Sequence, residues 1–203
     1  MSLLWPPLLC ALLLVAVQGP ILIPLLRRLK FGQTIREDGP QGHLVKAGTP
    51  TMGGLLFLIP VLVCLAIWGH FSAELWLCLL SFFGFGLIGF IDDFLKVVKK
   101  RNLGLRAYQK LIGQFAVIIT VLFLVNMLTS RGTDLIVPIS GYHWELGIWY
   151  YPIISVFLVG MVNAVNLTDG LDGLATGTCF IAFLCYFLIA AAEIVYPAIS
   201  EVN

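Results

Sequence analysis

Charge is what this chain has least of. Asp, Glu, Lys and Arg make up 11% of its 203 residues, against about 25% in soluble domains, while 60% are hydrophobic and the mean hydropathy is +0.99. So little charge excludes a soluble globular domain and predicts an all-α integral membrane protein. The net charge of +1 adds nothing further, and no nucleic-acid partner is expected. Cysteine is sparse too. Cys10, Cys64, Cys78, Cys179 and Cys185 all fall inside apolar runs without a C-x-x-C pair, so neither a disulfide framework nor a zinc site is indicated and packing is the expected role. There is no repeat, low-complexity stretch or linker, so residues 1–203 read as a single polytopic membrane domain. No basic residue precedes the first apolar run, no A-x-A site follows it, and Arg27-Arg28 come after it. It is therefore read as a retained span and not a cleaved signal.

What the chain has in quantity is apolar length. Runs near 3–26, 52–69, 75–95, 111–129, 150–166 and 174–192 each approach the roughly 20 residues that cross a bilayer core as a helix, predicting six transmembrane helices. Eleven of the twelve Lys and Arg lie between spans one and two or between three and four, and only Arg131 lies on the other side. By the positive-inside rule the basic loops are cytoplasmic and the N-terminus is outside. Leu135–Ile139 and Trp144–Trp149 around Ser140-Gly141 predict a short β-hairpin on the outer surface, with Trp144, Trp149, Tyr150 and Tyr151 in an interfacial aromatic belt. Pro20, Pro24 and Pro60 are tolerable kinks in or at the ends of spans.

Against this background the acids stand out. Gly84-Phe-Gly-Leu-Ile-Gly89 matches the G-x-G-x-x-G string, but it lies inside a span and follows no strand. Close helix packing at Gly84, Gly86 and Gly89 is the better reading than a dinucleotide site. Asp92 and Asp93 close the third span; on a helix their side chains diverge by about 100°, so different roles are expected. One would hold a metal or handle a proton while the other orients substrate or a lysine; the plain alternative is a pair of solvated helix-end acids answering Lys96, Lys99 and Lys100. Asn163, Asn166, Asp169 and Asp172 recur every three residues, sharing one face if helical, while Gly170 and Gly173 permit an irregular backbone where the span meets water. This stretch has no Lys or Arg, so a cation or a nucleotide base would satisfy its acids. Magnesium suits oxygen ligands of this kind, and acids beside basic loops fit phosphoryl transfer, in which lysines attract phosphate and the metal neutralises developing charge.

Four stretches carry a family resemblance: Lys46 through Gly54, Gly89 through Lys96, Tyr108-Gln-Lys110, and Asn163 through Gly173. Together with Gly32 through Pro40 and His43, they resemble the bacterial phospho-N-acetylmuramoyl-pentapeptide transferases, or translocase I, of the polyprenyl-phosphate sugar-1-phosphate transferase superfamily. The resemblance implies a magnesium-dependent enzyme of the bacterial cytoplasmic membrane, with its cleft facing the cytoplasm. It would move phospho-N-acetylmuramoyl-pentapeptide from its UDP carrier to undecaprenyl phosphate, giving lipid I and UMP for peptidoglycan synthesis, and a homodimer is expected. By match of motif, Asp92 and Asp93 are the acidic pair at the reacting centre. Lys46 and Thr51 line the cleft, Asn166 and Asp169 contact nucleotide or its phosphates, Lys110 binds phosphate, and Asp172 belongs to the same substrate-binding motif. The lipid phosphate would attack the sugar-proximal phosphorus, in a single displacement or through a covalent aspartyl intermediate; the residues leave both routes open, with the single displacement preferred.

Family members have ten spans, and their later part carries a third aspartate thought to hold the magnesium, together with clustered histidines. Here the main metal ligand is thus expected beyond residue 203, with Asp92 or Asp93 as candidates within the chain. The chain is expected to be the N-terminal portion of a longer enzyme and inactive alone. Two alternatives remain: a sister transferase using UDP-N-acetylglucosamine, and, from another class, a lipid or ion transporter. The latter is disfavoured by acids confined to span ends and by halves that do not resemble each other.

Overall fold

The computed structural model describes residues 4–29, 52–99, 104–137, 140–170 and 173–200. Lys46, Thr51, Asp172 and most of the first basic loop lie outside the described residues. Among the described residues the chain forms α1 (Trp5–Leu29), α2 (Leu55–Trp68), α3 (Ala73–Val98), α4 (Ala107–Leu128), a two-stranded hairpin β1 (Asp134–Ile136) and β2 (His143–Glu145), α5 (Tyr150–Thr168) and α6 (Leu174–Ser200). This is an all-α membrane fold with one small sheet.

All six expected apolar helices form, and five of them are long and apolar enough to cross a membrane. The exception is α2, which has 14 residues and a length of about 21 Å at 1.5 Å per residue, short of the roughly 30 Å hydrocarbon core. Its start is delayed because Met52 sits at φ 65° and the chain enters through tight turns, Leu55 N–H donating to the Met52 carbonyl and Leu56 N–H to that of Gly53. Its end is set by Gly69, where ψ swings to 129°. Other ends are capped locally. Ser72 Oγ accepts from Leu75 N–H at 3.3 Å before α3, and Arg106 N–H donates to Gln109 Oε1 at 2.9 Å before α4.

Neighbouring helices run antiparallel, as their cross-contacts show. Gln18 Nε2 donates to the Leu56 carbonyl at 2.5 Å, while Cys64, later in α2, reaches back to the Pro7 carbonyl. Between α3 and α4, a Cβ added at Gly84 would meet Val117 Cγ1 at 2.8 Å and one at Gly113 would meet Ile88 at 3.3 Å. Between α4 and α5, Ile118, Leu122 and Val159 form a buried cluster backed by Phe85, Phe115 and Ile154. Lipid tails offer no hydrophobic drive for helix association, so close approach at small residues carries the packing. Only part of the expected glycine interface is used: Gly84 lies against Val117, but Gly86 and Gly89 face nothing within 4 Å among the described residues.

The hairpin forms where expected, with Asp134 opposite Glu145, Leu135 opposite Trp144 and Ile136 opposite His143, and with Gly141 at φ 65° in its turn. The second apolar run does not stay extended. Gly147, at φ 53°, turns it into a short 3-10 helix, Gly147–Trp149, that leads into α5. Arg131 and His143 both hold Asp134, at 2.5 Å each.

Antiparallel order gathers the ends that matter. The end of α1, the start of α2, the end of α3, the start of α4 and the end of α5 all lie at the same end of the bundle, and the hairpin lies at the other.

Candidate active site

At that common end, the last turns of α3 present Asp92 and Asp93 on different faces, as their adjacency requires. Asp92 Oδ1 accepts from Leu105 N–H at 2.8 Å and its Oδ2 lies 2.7 Å from Lys96 Nζ. Asp93 Oδ1 lies 2.9 Å from the same ammonium, while its Oδ2 accepts from Met52 N–H at 3.2 Å. Each carboxylate thus ties α3 to a different neighbour, Asp92 to the segment entering α4 and Asp93 to the segment entering α2. Lys96 bridges both. Its spacing of four residues from Asp92 and three from Asp93 sets the ammonium between the two faces, within reach of each acid. Asp92 is the more enclosed, its side chain 14% exposed against 31% for Asp93. Gly104 presses on Asp92 so closely that an added Cβ would overlap both its carbonyl oxygen and its Oδ1.

One helix away, Lys110 in the first turn of α4 donates to Asn166 Oδ1 on α5 at 3.0 Å. Below it, Asn163 Nδ2 donates to Gln114 Oε1 and to the Val159 carbonyl, both at 2.8 Å. The run from Asn163 to Thr168 is helical, so Asn163 and Asn166 do share a face, and that face meets α4. Asp169 caps the helix through its backbone and its side chain is exposed, making no side-chain hydrogen bond or ion pair among the described residues. Gly173 adopts φ 81°, the left-handed region glycine makes accessible.

The structure therefore brings Asp92, Asp93, Lys110, Asn166 and Asp169 to one end of the bundle. Sequence reasoning undervalued Lys96, whose spacing from both acids was the available signal, and passed over Gln114, an amide in an otherwise apolar span. The backbone donors Leu105 and Met52 had no signal in side-chain chemistry. Among the described residues no group of three or more His, Cys, Asp or Glu is placed to hold a metal ion. Two carboxylate oxygens do converge on a single cation, the Lys96 ammonium.

Comparison with known proteins bears on what such an end can do. The model of glycosyl transferase family 4 matches residues 75–201. The chain belongs to glycosyl transferase family 4. Within that family, phospho-N-acetylmuramoyl-pentapeptide-transferase signature 1 matches residues 46–58, the stretch that runs into α2. Proteins named phospho-N-acetylmuramoyl-pentapeptide-transferase are similar to the chain. The one from Desulfitobacterium hafniense (strain DSM 10664 / DCB-2) is 54% identical over 182 residues, covering 89% of this chain and 54% of the relative. That from Heliobacterium modesticaldum (strain ATCC 51547 / Ice1) is 54% identical over 174 residues, covering 86% and 54%, and that from Thermoanaerobacter sp. (strain X514) 48% identical over 192 residues, covering 94% and 60%. The chain thus spans little more than half the length of these curated relatives. The family expected from the motifs is the family found.

Proposed function

We propose that this family 4 membrane protein serves the transfer of phospho-N-acetylmuramoyl-pentapeptide from its UDP carrier to undecaprenyl phosphate, giving lipid I and UMP for peptidoglycan synthesis. The observation that carries the reading is the gathering of an acidic pair and a lysine–asparagine pair at one end of the bundle, in a chain that matches the muramoyl-pentapeptide signature. That signature also favours the muramoyl substrate over UDP-N-acetylglucosamine.

The same end holds Arg27 and Arg28 in the last turn of α1, together with Lys96, Lys99, Arg106 and Lys110, while the opposite end has Arg131. This asymmetry supports a cytoplasmic site in the bacterial inner membrane, where the nucleotide substrate is found. In the reaction, an oxygen of the lipid phosphate attacks the sugar-proximal phosphorus, the bond from that phosphorus to the bridging oxygen breaks, and UMP leaves with the electron pair. Lys110 and Asn166 supply a cationic donor and an amide for the diphosphate. Asp92 or Asp93 takes or steers the last proton of the lipid phosphate. Each carboxylate of the acidic pair is held by a backbone N–H and by Lys96, an arrangement that orients it for proton handling in a single displacement. Asp169 and Asp172 serve the nucleotide, and Lys46 and Thr51 line the cleft.

Magnesium fits this donor set, since it takes one or two carboxylates and completes its shell with phosphate oxygens and water. Asp92 or Asp93 is the residue of this chain that would contribute, exchanging its contact with Lys96 for the ion, and the bound ion would neutralise charge on the transferring phosphoryl group. The homodimer expected from the family is part of the same proposal.

The test is UMP release and lipid I formation by membranes containing the protein, supplied with UDP-N-acetylmuramoyl-pentapeptide and undecaprenyl phosphate, with and without magnesium. Release that needs both substrates and the metal is expected. No release with all three present would overturn the reading, and suppression by excess UDP-N-acetylglucosamine would hand the protein to the sister reaction.

A further inference from the structure

The reaction above uses Lys110 and Asn166 but leaves unexplained the amides beneath them. Gln114 is 1% exposed about two turns into a membrane-spanning helix, where polar side chains are expensive and mark function by default. Its side chain meets Asn163 in both directions, accepting at 2.8 Å and donating at 3.5 Å. Asn163 is itself fixed by the Val159 carbonyl.

Gln114 follows Lys110 by four residues on α4, and Asn163 precedes Asn166 by three on α5, so the two cross-helix pairs are successive rungs of one ladder. The upper rung is solvent-exposed, where a single hydrogen bond holds little. The lower rung lies in low dielectric, where leaving an amide unpaired is costly. Sliding either helix by one residue turns its side chains through about 100° and breaks both rungs together. Beside the lower rung, Gly113 packs on Ile88 of α3, which ties the same turn of α4 to the helix that carries Asp92 and Asp93.

We propose that the Gln114–Asn163 amide pair is a positioning clasp: it sets the rotation of α4 against α5 and thereby holds Lys110 and Asn166 together at the phosphate-facing end of the site. In this reading Gln114 and Asn163 are positioning residues that act through the rung above. The kinetic consequence rests on the proposed reaction, whereas the geometric consequence does not.

The experiment compares the wild type with Gln114→Leu, an apolar replacement that suits a span, with the exchanged pair Gln114→Asn/Asn163→Gln, and with Leu122→Ala as a purely packing control. The geometric readout is acylation of the Lys110 amine by a water-soluble reagent, followed by mass spectrometry with exposed Lys99 as internal standard. Labelling of Lys110 relative to Lys99 is expected to rise several-fold in Gln114→Leu and to return toward the wild-type ratio in the exchanged pair. In Leu122→Ala it stays put while thermal stability falls. The kinetic readout is KM for UDP-N-acetylmuramoyl-pentapeptide, expected to rise about tenfold in Gln114→Leu, the size of one lost charge-assisted contact, with a smaller change in kcat. Unchanged Lys110 labelling in Gln114→Leu, or equal change in Leu122→Ala, would overturn the clasp. A wild type that releases no UMP would instead overturn the proposed reaction, and the labelling ratio would still decide the clasp.

Discussion

Gly104→Ala is the most informative single change, because it bears on Asp92 without altering a charged group. The added methyl would overlap both the Asp92 carbonyl oxygen and its Oδ1. The carbonyl belongs to the body of α3, and the carboxylate is held by Lys96 at 2.7 Å, so the relief available is for the segment at Gly104 to retreat. Retreat breaks the 2.8 Å bond from Leu105 N–H to Asp92. Overpacking costs about 1–3 kcal/mol and loss of a hydrogen bond to a charged acceptor about 1.5–3 kcal/mol. The two do not add, since the retreat that loses the bond relieves the clash, and a net cost of about 2–3 kcal/mol follows. At about 2–4 °C per kcal/mol for a chain of this size, thermal unfolding in detergent micelles should move down by about 4–12 °C. Gly86→Ala is the matched control. Its Cβ meets nothing within 4 Å among the described residues, and alanine is favoured over glycine inside a helix by about 0.5–1 kcal/mol, so that variant should unfold at or slightly above the wild-type temperature. If Gly104→Ala unfolded together with Gly86→Ala, the close seating of the α4 entry segment on Asp92 would be refuted.

Other outcomes follow from the same geometry. Asp92→Asn and Asp93→Asn should each lower UMP release by at least about a hundredfold, the low end of what a positioned proton-transfer group contributes, while leaving the protein folded; near wild-type rates in both would remove the acidic pair from the reaction. Ile118→Ala, at the centre of the α4–α5 cluster and 1% exposed, should cost about 2–5 kcal/mol by leaving a cavity, read by thermal unfolding against the wild type. At the far end, the hydrogen bond from His143, and then that from Arg131, hold the Asp134 carboxyl below its ordinary range. A carboxyl lowered in the folded state contributes its stability above its unfolded value of about 3.9 and loses it as pH falls through the lower folded value. Protection from amide exchange across residues 134–145, taken relative to the intrinsic rate at each pH, should therefore fall on acidification below about pH 4, and Asp134→Asn should abolish that dependence; an unaltered pH profile of protection in the variant would refute it.

Much of this molecule is legible residue by residue. Hydropathy alone marks every helix, because in a bilayer the backbone must satisfy its hydrogen bonds within the segment and the side chains must tolerate lipid. The turn residues Ser140-Gly141 locate the hairpin, and the acidic and asparagine motifs point to the family. What stays hidden in the sequence is nonlocal. Gly84, Gly86 and Gly89 look equivalent in sequence, yet among the described residues only Gly84 meets a neighbour within 4 Å, since which residue of a helix faces a partner depends on how that partner is rotated. The shortness of α2 is hidden for a different reason: apolarity reaches back to Met52, but the left-handed turn there delays the helix start to Leu55.

The sequence by itself determined the solvent of this protein, the number and approximate extent of its helices, and the chemistry carried at their ends, because each depends on runs and spacings within one segment. The tertiary structure alone decided the partners: Lys96 between two carboxylates that are also gripped by the Leu105 and Met52 amides, Lys110 on Asn166, and Gln114 on Asn163. Those pairings depend on the mutual rotation and depth of separate helices, which simultaneous steric fit sets and no single segment encodes.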